Sequence, residues 1–309
     1  MEENYLDMNP NQVSVIILTY NQRDRTIKCL TSLVSARVSS FQILLWDNGS
    51  SDGTVEATKE AYPKVLTHYH PTNLGVASGR NAAAEMAIKL FDPSYLLFLD
   101  NDMILEPDFV GALLDPLIED TKIGQTQAKL RFMHDRQRLN DAGGAKINFM
   151  LWQVTPVGFG EIDHGQYDTL KKCISCGGAM MVRTDVFKQL EGFDSVFDPF
   201  GPEDLDFSLR LQEAGYTALY VPRAVAYHAV SHTFGEGYTE DYARHKFCHW
   251  YLFMRRHALL YQKLGFFLIG IPYLAVRVMI REGKKGNLGA LRGLVSGMFD
   301  LFKTSERVK

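Results

Sequence analysis

Tyr95 to Asp102 reads YLLFLDND. An unbroken apolar run of this length suits a strand buried on both faces, and here it ends directly in two aspartates one residue apart. Upstream the same grammar repeats. Val13 to Leu18 (VSVIIL) is a second apolar, β-branched run, ended by Thr19-Tyr20-Asn21. Arg25 to Val34 then places Ile27, Leu30, Leu33 and Val34 at helical spacing. Phe41 to Trp46 (FQILLW) is a strand that opens into Asp47-Asn48-Gly49-Ser50-Ser51-Asp52-Gly53-Thr54, a stretch of turn and cap residues. A helix to about Tyr62, a short strand from Val65 to Tyr69 and an Ala-rich helix from Ala82 to Leu90 complete the alternation. Strands alternating with helices predict an α/β fold with a mostly parallel, Rossmann-like sheet flanked by helices. Ligands bind such sheets beyond the carboxyl ends of the strands. Those ends carry Thr19 and Tyr20, Asp47, and Asp100 with Asp102.

Beyond Lys122 the periodicity loosens. Residues 140–170 read as extended hairpin or loop, with Trp152, Phe159 and Tyr167 as aromatic faces for a ligand or for the core. Ile174 to Val182 is small and apolar, Pro202 to Ala214 is a helix with proline at its first position, and Thr217 to Val221 is a late strand. These elements place one domain over residues 1–232, followed by a helical appendage over 233–309.

Charge separates the two regions. Residues 1–232 hold 20 Lys and Arg against 30 Asp and Glu, and residues 233–309 hold 13 against 6. An acidic body argues against nucleic acid as a partner. Basic groups mixed with apolar ones in the tail suit a membrane surface. Tyr238 to Leu264 reads as a helix with a basic face, and Leu264 to Val276 (LGFFLIGIPYLAV) is uncharged. That run is shorter than the roughly 20 residues a spanning helix needs, and two glycines and Pro272 interrupt it. The tail is therefore read as a monotopic attachment to an anionic leaflet. Packing on the core or on a second subunit is the competing reading, so a homo-oligomer stays open. The N-terminal residues MEENYLDMNPNQ lack the basic start and apolar core of a signal peptide. The expected location is cytoplasmic, at the inner face of the cell membrane. Four cysteines are too few for a disulfide scaffold, and Cys173-x-x-Cys176 is read as buried thiols in preference to a zinc or redox site.

Three groups of residues carry chemistry. Asp100 and Asp102 offer the oxygen ligands that a divalent cation takes, and a cation there would neutralise a diphosphate. A solvated turn with two capping carboxylates is the plainer reading. Glu203 and Asp204 follow Gly201-Pro202 at a helix start, where the helix dipole favours ionised carboxylates able to accept a proton. Helix capping is the plainer reading there. Asp206 is read as structural, because Arg210 lies four residues on. His228 and His232 follow the last strand, where a neutral imidazole would complete a metal site.

Taken together, VSVIILTYN, LLWDNGSSDGT, NLGVASGRNAA, FLDND, GGAMMVRTDVFKQLEGFD and PEDLDFSLRLQEAGY resemble the family 2 glycosyltransferases of GT-A fold, especially the bacterial rhamnosyltransferase-like members. The matching segments occur in family order over about residues 13–232. The resemblance implies that Tyr20 and Asp47 hold the donor base with Thr19 lining the pocket, and that Arg80 and Asn81 line the nucleotide site. It implies that Asp100 and Asp102 meet the metal (Mn²⁺ or Mg²⁺), the ribose and the diphosphate. Asp204 resembles the general base, with Glu203 beside it near the acceptor, and His228 matches a further metal or diphosphate contact. Asn48 stands where many relatives carry a second acid. The implied reaction is hexosyl transfer, by one inverting displacement, from a nucleotide-diphosphate sugar (a dTDP- or UDP-sugar) to a hydroxyl of a lipid-linked or polysaccharide glycan.

Two other classes compete with this reading. A nucleotidyltransferase on a similar sheet needs a Gly- and Lys/Arg-rich loop after the first strand, and TYNQRDR has no glycine. A catalytically silent binding module would have lost one of the acidic pairs, and both are present.

Overall fold

The computed structural model describes residues 12–36, 41–175, 178–229, 239–284 and 287–304. In chain order the first half holds β1 (Val13–Thr19), α1 (Arg23–Val34), β2 (Phe41–Asp47), α2 (Thr54–Ala61), β3 (Leu66–Tyr69), α3 (Val76–Phe91), β4 (Tyr95–Asp100), β5 (Met103–Leu105), α4 (Phe109–Glu119) and β6 (Ile123–Phe132). There follow β7 (Leu139–Asp141), β8 (Ala145–Asn148), β9 (Gln153–Pro156), β10 (Lys171–Lys172), β11 (Ala179–Arg183), α5 (Thr184–Gln189), α6 (Glu203–Glu213) and β12 (Thr217–His228). The helices α7 (Glu240–His257), α8 (Leu260–Gly265), α9 (Ile271–Gly283) and α10 (Leu288–Thr304) close the chain.

The main sheet runs β10-β12-β6-β11-β4-β1-β2-β3, with β5 paired to β12 and β7 to β6. Strands β3, β2, β1 and β4 are parallel. The antiparallel β11 links β4 to β6, which leaves β6 and β12 pointing the same way as β4. The sheet is therefore mostly parallel, as the sequence predicts. Register aligns the strand ends: Leu18 lies opposite Asp100, and Thr19 opposite Asp47. Alternation along β1 sends Val13, Val15 and Ile17 into the core with Leu30, Leu33, Phe109 and Leu113, and Ile16 into the core with Ala83, Phe98, Phe193 and Phe207. Both faces are buried, which is why these strands read as continuous apolar runs.

The second half departs from the sequence reading. The stretch expected to loosen after Lys122 contains β6, ten residues long and buried along its first eight. Its sequence, IGQTQAKLRF, hides this because its polar side chains are buried with partners. Thr126 Oγ1 donates to the Leu113 carbonyl at 2.8 Å, Gln127 Nε2 to Asp141 Oδ2 at 2.9 Å, and Lys129 Nζ to Asp163 Oδ2 at 3.0 Å. The late strand expected to end at Val221 continues to His228, because a register shift between Val221 and Val225 takes up Pro222. α3 starts at Val76, ahead of the expected Ala82, and α6 starts at Glu203, immediately after Pro202. Cys29 and Cys173 are buried free thiols. Cys176 and His232 lie outside the described residues.

By its internal contacts the chain forms two compact units, one from residues 1–145, 156–199 and 203–230, the other from 146–155, 200–202 and 231–309. In the second unit the expected helix from Tyr238 to Leu264 is broken: Ala258 and Leu259 are extended, and α7 ends before them. Thr239 caps α7 by accepting from the Tyr242 amide at 3.1 Å. From Leu260 the helix then runs on through a π segment, Phe266–Gly270, into α9. Pro272 falls just after the π segment, where the regular hydrogen-bond ladder is already interrupted, so its missing N–H ends nothing. The two glycines serve close packing: a Cβ on Gly265 would meet the Met150 side chain, and one on Gly270 the Met150 carbonyl. The apolar run is thereby extended. Leu260–Glu282 is one helix of 23 residues, long and apolar enough to cross a membrane, about 34 Å at the usual rise. Only 22% of its most apolar window is buried.

Candidate active site

The carboxyl edge of the sheet gathers the acidic residues. β4 ends at Asp100, whose amide donates to the Gly178 carbonyl at 2.7 Å. A Cβ on Gly178 would overlap the Asp100 side chain, so glycine here leaves the space that the carboxylate occupies. The chain turns through Asn101 and Asp102 into β5. Because β5 pairs with the end of β12, Met103 lies opposite His228, and the Ala229 amide donates to the Asp102 carbonyl at 3.0 Å. This pairing sets His228 Nε2 3.3 Å from Asp102 Oδ1. One donor atom each from Asp100, Asp102 and His228 lies within 4.8 Å of the others. Two carboxylate oxygens and one imidazole nitrogen form a donor set able to hold a divalent cation.

Arg80 ties this cluster to the second acidic pair. It is 7% exposed, with Nη2 2.8 Å from Asp100 Oδ1 and Nη1 3.1 Å from Glu203 Oε1. Burial opposes its charge, but Asp100, Glu203 and Asp204 outweigh burial and hold its pKa above the ordinary arginine value. Glu203 responds the other way. Burial and then the charge of Asp204 push its carboxyl up, and Arg80 offsets only part of this. Asp204 is half-buried in the first turn of α6, where its Oδ1 accepts from the Leu205 amide at 2.7 Å. Asp206 is fully buried and pairs with Arg210 at 2.7 Å, the structural role its spacing predicts. At His228, burial works against the imidazolium, yet the hydrogen bond and charge of Asp102, aided by Asp100, hold its pKa above the usual range.

The other expected donor contacts are distributed unevenly. Tyr20 is 41% exposed at the end of β1. Asp47 is fully buried; its Oδ1 accepts from the Gly49 and Ser50 amides, and its Oδ2 is enclosed without a hydrogen-bond partner among the described residues. Thr19 is buried in a network with Thr26 Oγ1 at 2.8 Å and Asn101 Nδ2 at 3.1 Å. Asn81 spends both ends of its amide on the backbone of Phe193, at 2.7 and 2.9 Å. Thr19 and Asn81 thus brace loops, whereas Arg80 reaches the acidic cluster.

Sequence reasoning missed two supporting residues. Asp198 accepts from the Ala77 amide at 2.9 Å and the Ser78 amide at 3.1 Å, fixing the start of α3, the helix that carries Arg80. Asn140 Oδ1 lies 3.0 Å from His228 Nδ1. With Asn140 accepting from Nδ1–H, the ring is oriented with Nε2 facing Asp102; protonated, Nε2 donates to the carboxylate, and neutral, it offers its lone pair to a cation held beside Asp102. Nothing in the local sequence marks Asn140, because the pairing of β7 on β6 and β6 on β12 creates the contact. Asn140→Ala is expected to weaken Mn²⁺ binding by roughly 10- to 100-fold, the usual worth of such a supporting contact. Titration followed by the electron paramagnetic resonance of free Mn²⁺ measures it; wild-type affinity would show that Asn140 does not orient the ligand.

Comparison with known proteins agrees with this geometry. The family model described as glycosyl transferase family 2 matches residues 14–191, and that described as the N-terminal domain of galactosyltransferase matches residues 166–233. The chain is 27% identical over 305 residues to the N-acetylglucosaminyl-diphospho-decaprenol L-rhamnosyltransferase of Mycobacterium tuberculosis (strain CDC 1551 / Oshkosh), covering 90% of this chain and 97% of the relative. It is 25% identical over 206 residues to the chondroitin synthase of Escherichia coli, covering 66% of this chain and 27% of that protein. Among solved structures, a mannosyltransferase of Pyrobaculum calidifontis in complex with GDP-Man and Mn²⁺ superposes with a TM-score of 0.57 at 15% identity, covering 96% of this chain and 92% of the other. GalNAc-T7 with UDP, GalNAc and Mn²⁺ gives a TM-score of 0.60 at 17% identity, covering 76% of this chain and 48% of that one. These are GT-A folds. The chain belongs to glycosyl transferase family 2 and is a glycosyltransferase.

Proposed function

We propose that the enzyme transfers a hexosyl group, with inversion, from a dTDP- or UDP-sugar to a hydroxyl of a lipid-linked or polysaccharide glycan. The observation that carries this reading is the clustering of Asp100, Asp102 and His228 at one strand edge, joined through Arg80 to the Glu203-Asp204 pair. Asp100, Asp102 and His228 would hold a divalent cation, which supplies charge stabilisation for the departing diphosphate. Asp204 takes the proton of the attacking hydroxyl as the new C–O bond forms on the face opposite the leaving group. Arg80 holds Asp100 and Glu203 in fixed relation, which keeps the metal-binding carboxylate and the start of α6 in register. Tyr20 supplies an aromatic face for the base, and the unpartnered Asp47 Oδ2 is an acceptor that a base N–H would satisfy.

The lipid-linked acceptor is supported by the mycobacterial relative, whose name specifies a diphospho-decaprenol acceptor. The exposed apolar residues of Leu260–Glu282, among them Leu260, Leu264, Leu268, Val276 and Ile280, support contact with a bilayer. We read the enzyme as lying at the cytoplasmic face of the membrane, beside such a substrate, a reading that bilayer contact supports. The anomeric configuration of the transferred sugar, read by proton NMR on product made with a nucleotide sugar of known configuration, tests the scheme. Inversion is expected; retention would exclude a single displacement.

A further inference from the structure

Between Asp198, whose carboxylate fixes the start of α3, and Glu203, where α6 begins, the chain has no regular secondary structure. Without a helix or strand ladder, its path is set by what its side chains and carbonyls meet. Phe200 supplies the anchor. It belongs to the helical unit together with residues 201–202, and three rings of α7 meet it there. His249 Nδ1 lies 2.7 Å from the Phe200 carbonyl. A carbonyl can only accept, so Nδ1 carries the proton. The Tyr242 ring stacks on the Phe200 ring, with centroids 4.9 Å apart and planes 16° from parallel. The His245 ring centroid lies 6.2 Å from that of Phe200. Tyr242, His245 and His249 recur at intervals of three and four residues, so they share one face of α7.

The contact is built to hold. His249 is 5% exposed, and burial, with nearby His245, keeps its pKa below the usual range although the bond to Phe200 works the other way. The opposite side of α7 is closed by α10. A Cβ on Gly293 would meet the Glu240 carbonyl and the Ala243 side chain, and one on Gly297 the Arg244 carbonyl, so the two helix backbones lie close together. Phe200 stands three residues ahead of Glu203 and four ahead of Asp204. Pro202 lies between them with its φ fixed by its own ring, so the link from the anchor to the acidic pair is short and partly locked.

We propose that His249 is a positioning residue for the transfer reaction: with Tyr242 it anchors Phe200, and through Phe200 it fixes the approach to α6 and so the placement of the Asp204 carboxylate. His249 acts in this way only if Asp204 is the general base, as proposed above; no membrane contact is needed. A reacting group misplaced by about 1 Å loses about 10²-fold in rate, which is the effect such an anchor prevents.

The test compares variants of the full chain. His249→Leu removes the donor, and His249→Asn returns one, because its side-chain amide stands where Nδ1 stood. Amide hydrogen exchange, followed by mass spectrometry of peptides spanning residues 199–210, needs no substrate. His249→Leu should exchange there about fivefold faster than wild type, as loss of one ordinary hydrogen bond implies, and His249→Asn should return to the wild-type rate. Turnover is read by hydrolysis of whichever of dTDP-rhamnose, UDP-glucose and UDP-N-acetylglucosamine the wild type cleaves fastest with Mn²⁺. In His249→Leu turnover should fall roughly 10- to 100-fold with donor KM unchanged, and His249→Asn should recover it. In a chain already carrying Asp204→Asn, His249→Leu should lower turnover little further, because the group it positions is gone. An equal further loss in that background would mean that His249 acts elsewhere and would overturn the proposal. Wild-type turnover in His249→Leu, with Asp204→Asn impaired, overturns the anchor alone. Wild-type turnover in Asp204→Asn by itself overturns the base reading and with it the catalytic role of the anchor. If His249→Leu unfolds, Tyr242→Leu, at a half-buried position, removes the stacked ring and is read in the same way.

Discussion

Asp204→Asn should lower turnover by about two to four orders of magnitude, the usual worth of a general base, while donor binding changes little. The substitution keeps the side-chain shape and the oxygen that accepts from the Leu205 amide, so the start of α6 is preserved. What it removes is the ability to take a proton. Glu203 is the alternative, and its surroundings argue against it. Its side chain is buried and its carboxyl is bonded to Arg80 at 3.1 Å. A group held that way accepts a proton from substrate only by giving up its ion pair. Glu203→Gln is therefore expected to act through Arg80, as a loss of positioning smaller than that of Asp204→Asn. Steady-state kinetics on both variants with saturating donor decide the matter. Unchanged turnover in Asp204→Asn together with a severe loss in Glu203→Gln would transfer the role to Glu203.

Asp102→Ala should bring transfer to the background rate and remove the metal dependence of donor binding. Asp102 is 4% exposed and faces His228. The variant deletes one oxygen donor and frees the imidazole it orients. The fold should survive, because the turn at this position is held by the Asp102 backbone carbonyl to the Ala229 amide and by the pairing of β5 with β12, neither of which uses the side chain. Loss of a well-placed group that stabilises developing charge costs about two to three orders of magnitude by itself, and loss of the cation with it costs more. Donor hydrolysis and calorimetric donor binding, each with Mn²⁺ and with chelator, read the two effects separately. Wild-type turnover by the variant in chelator would end the metal assignment, and a lowered melting temperature would show that the side chain serves the fold.

Legibility differed along the chain for a definite reason. In the first hundred residues β1 and β4 are buried on both faces, so burial writes itself as Val, Ile, Leu and Phe in succession, as in VSVIIL and YLLFL. The strand ends are set by polar residues that must face the ligand edge, and Asp47 and Asp100 were found from position alone. β6 defeated the same reading. Thr126, Gln127 and Lys129 are all buried, and what makes them tolerable is a partner on α4, on β7 or in the loop after β9. A pattern of hydrophobicity cannot register a polar residue whose cost is met by a residue far away in sequence. The tail shows the converse: Gly265, Gly270 and Pro272 read locally as interruptions, and contact with Met150 and a π segment make them parts of one helix.

The sequence by itself determined the α/β class, the order of the first strands and helices, the acidic pairs at Asp100-Asp102 and Glu203-Asp204, and the pairing of Asp206 with Arg210. All of these are local, fixed by periodicity, by capping or by spacing within a turn. Only the tertiary structure decided which of them act together. The antiparallel pairing of β5 with β12 sets His228 against Asp102, the pairing of β7 sets Asn140 behind it, and α3 delivers Arg80 between Asp100 and Glu203. Those contacts join residues remote in sequence, and long-range strand pairing and helix docking leave no mark in the spacing of neighbouring residues.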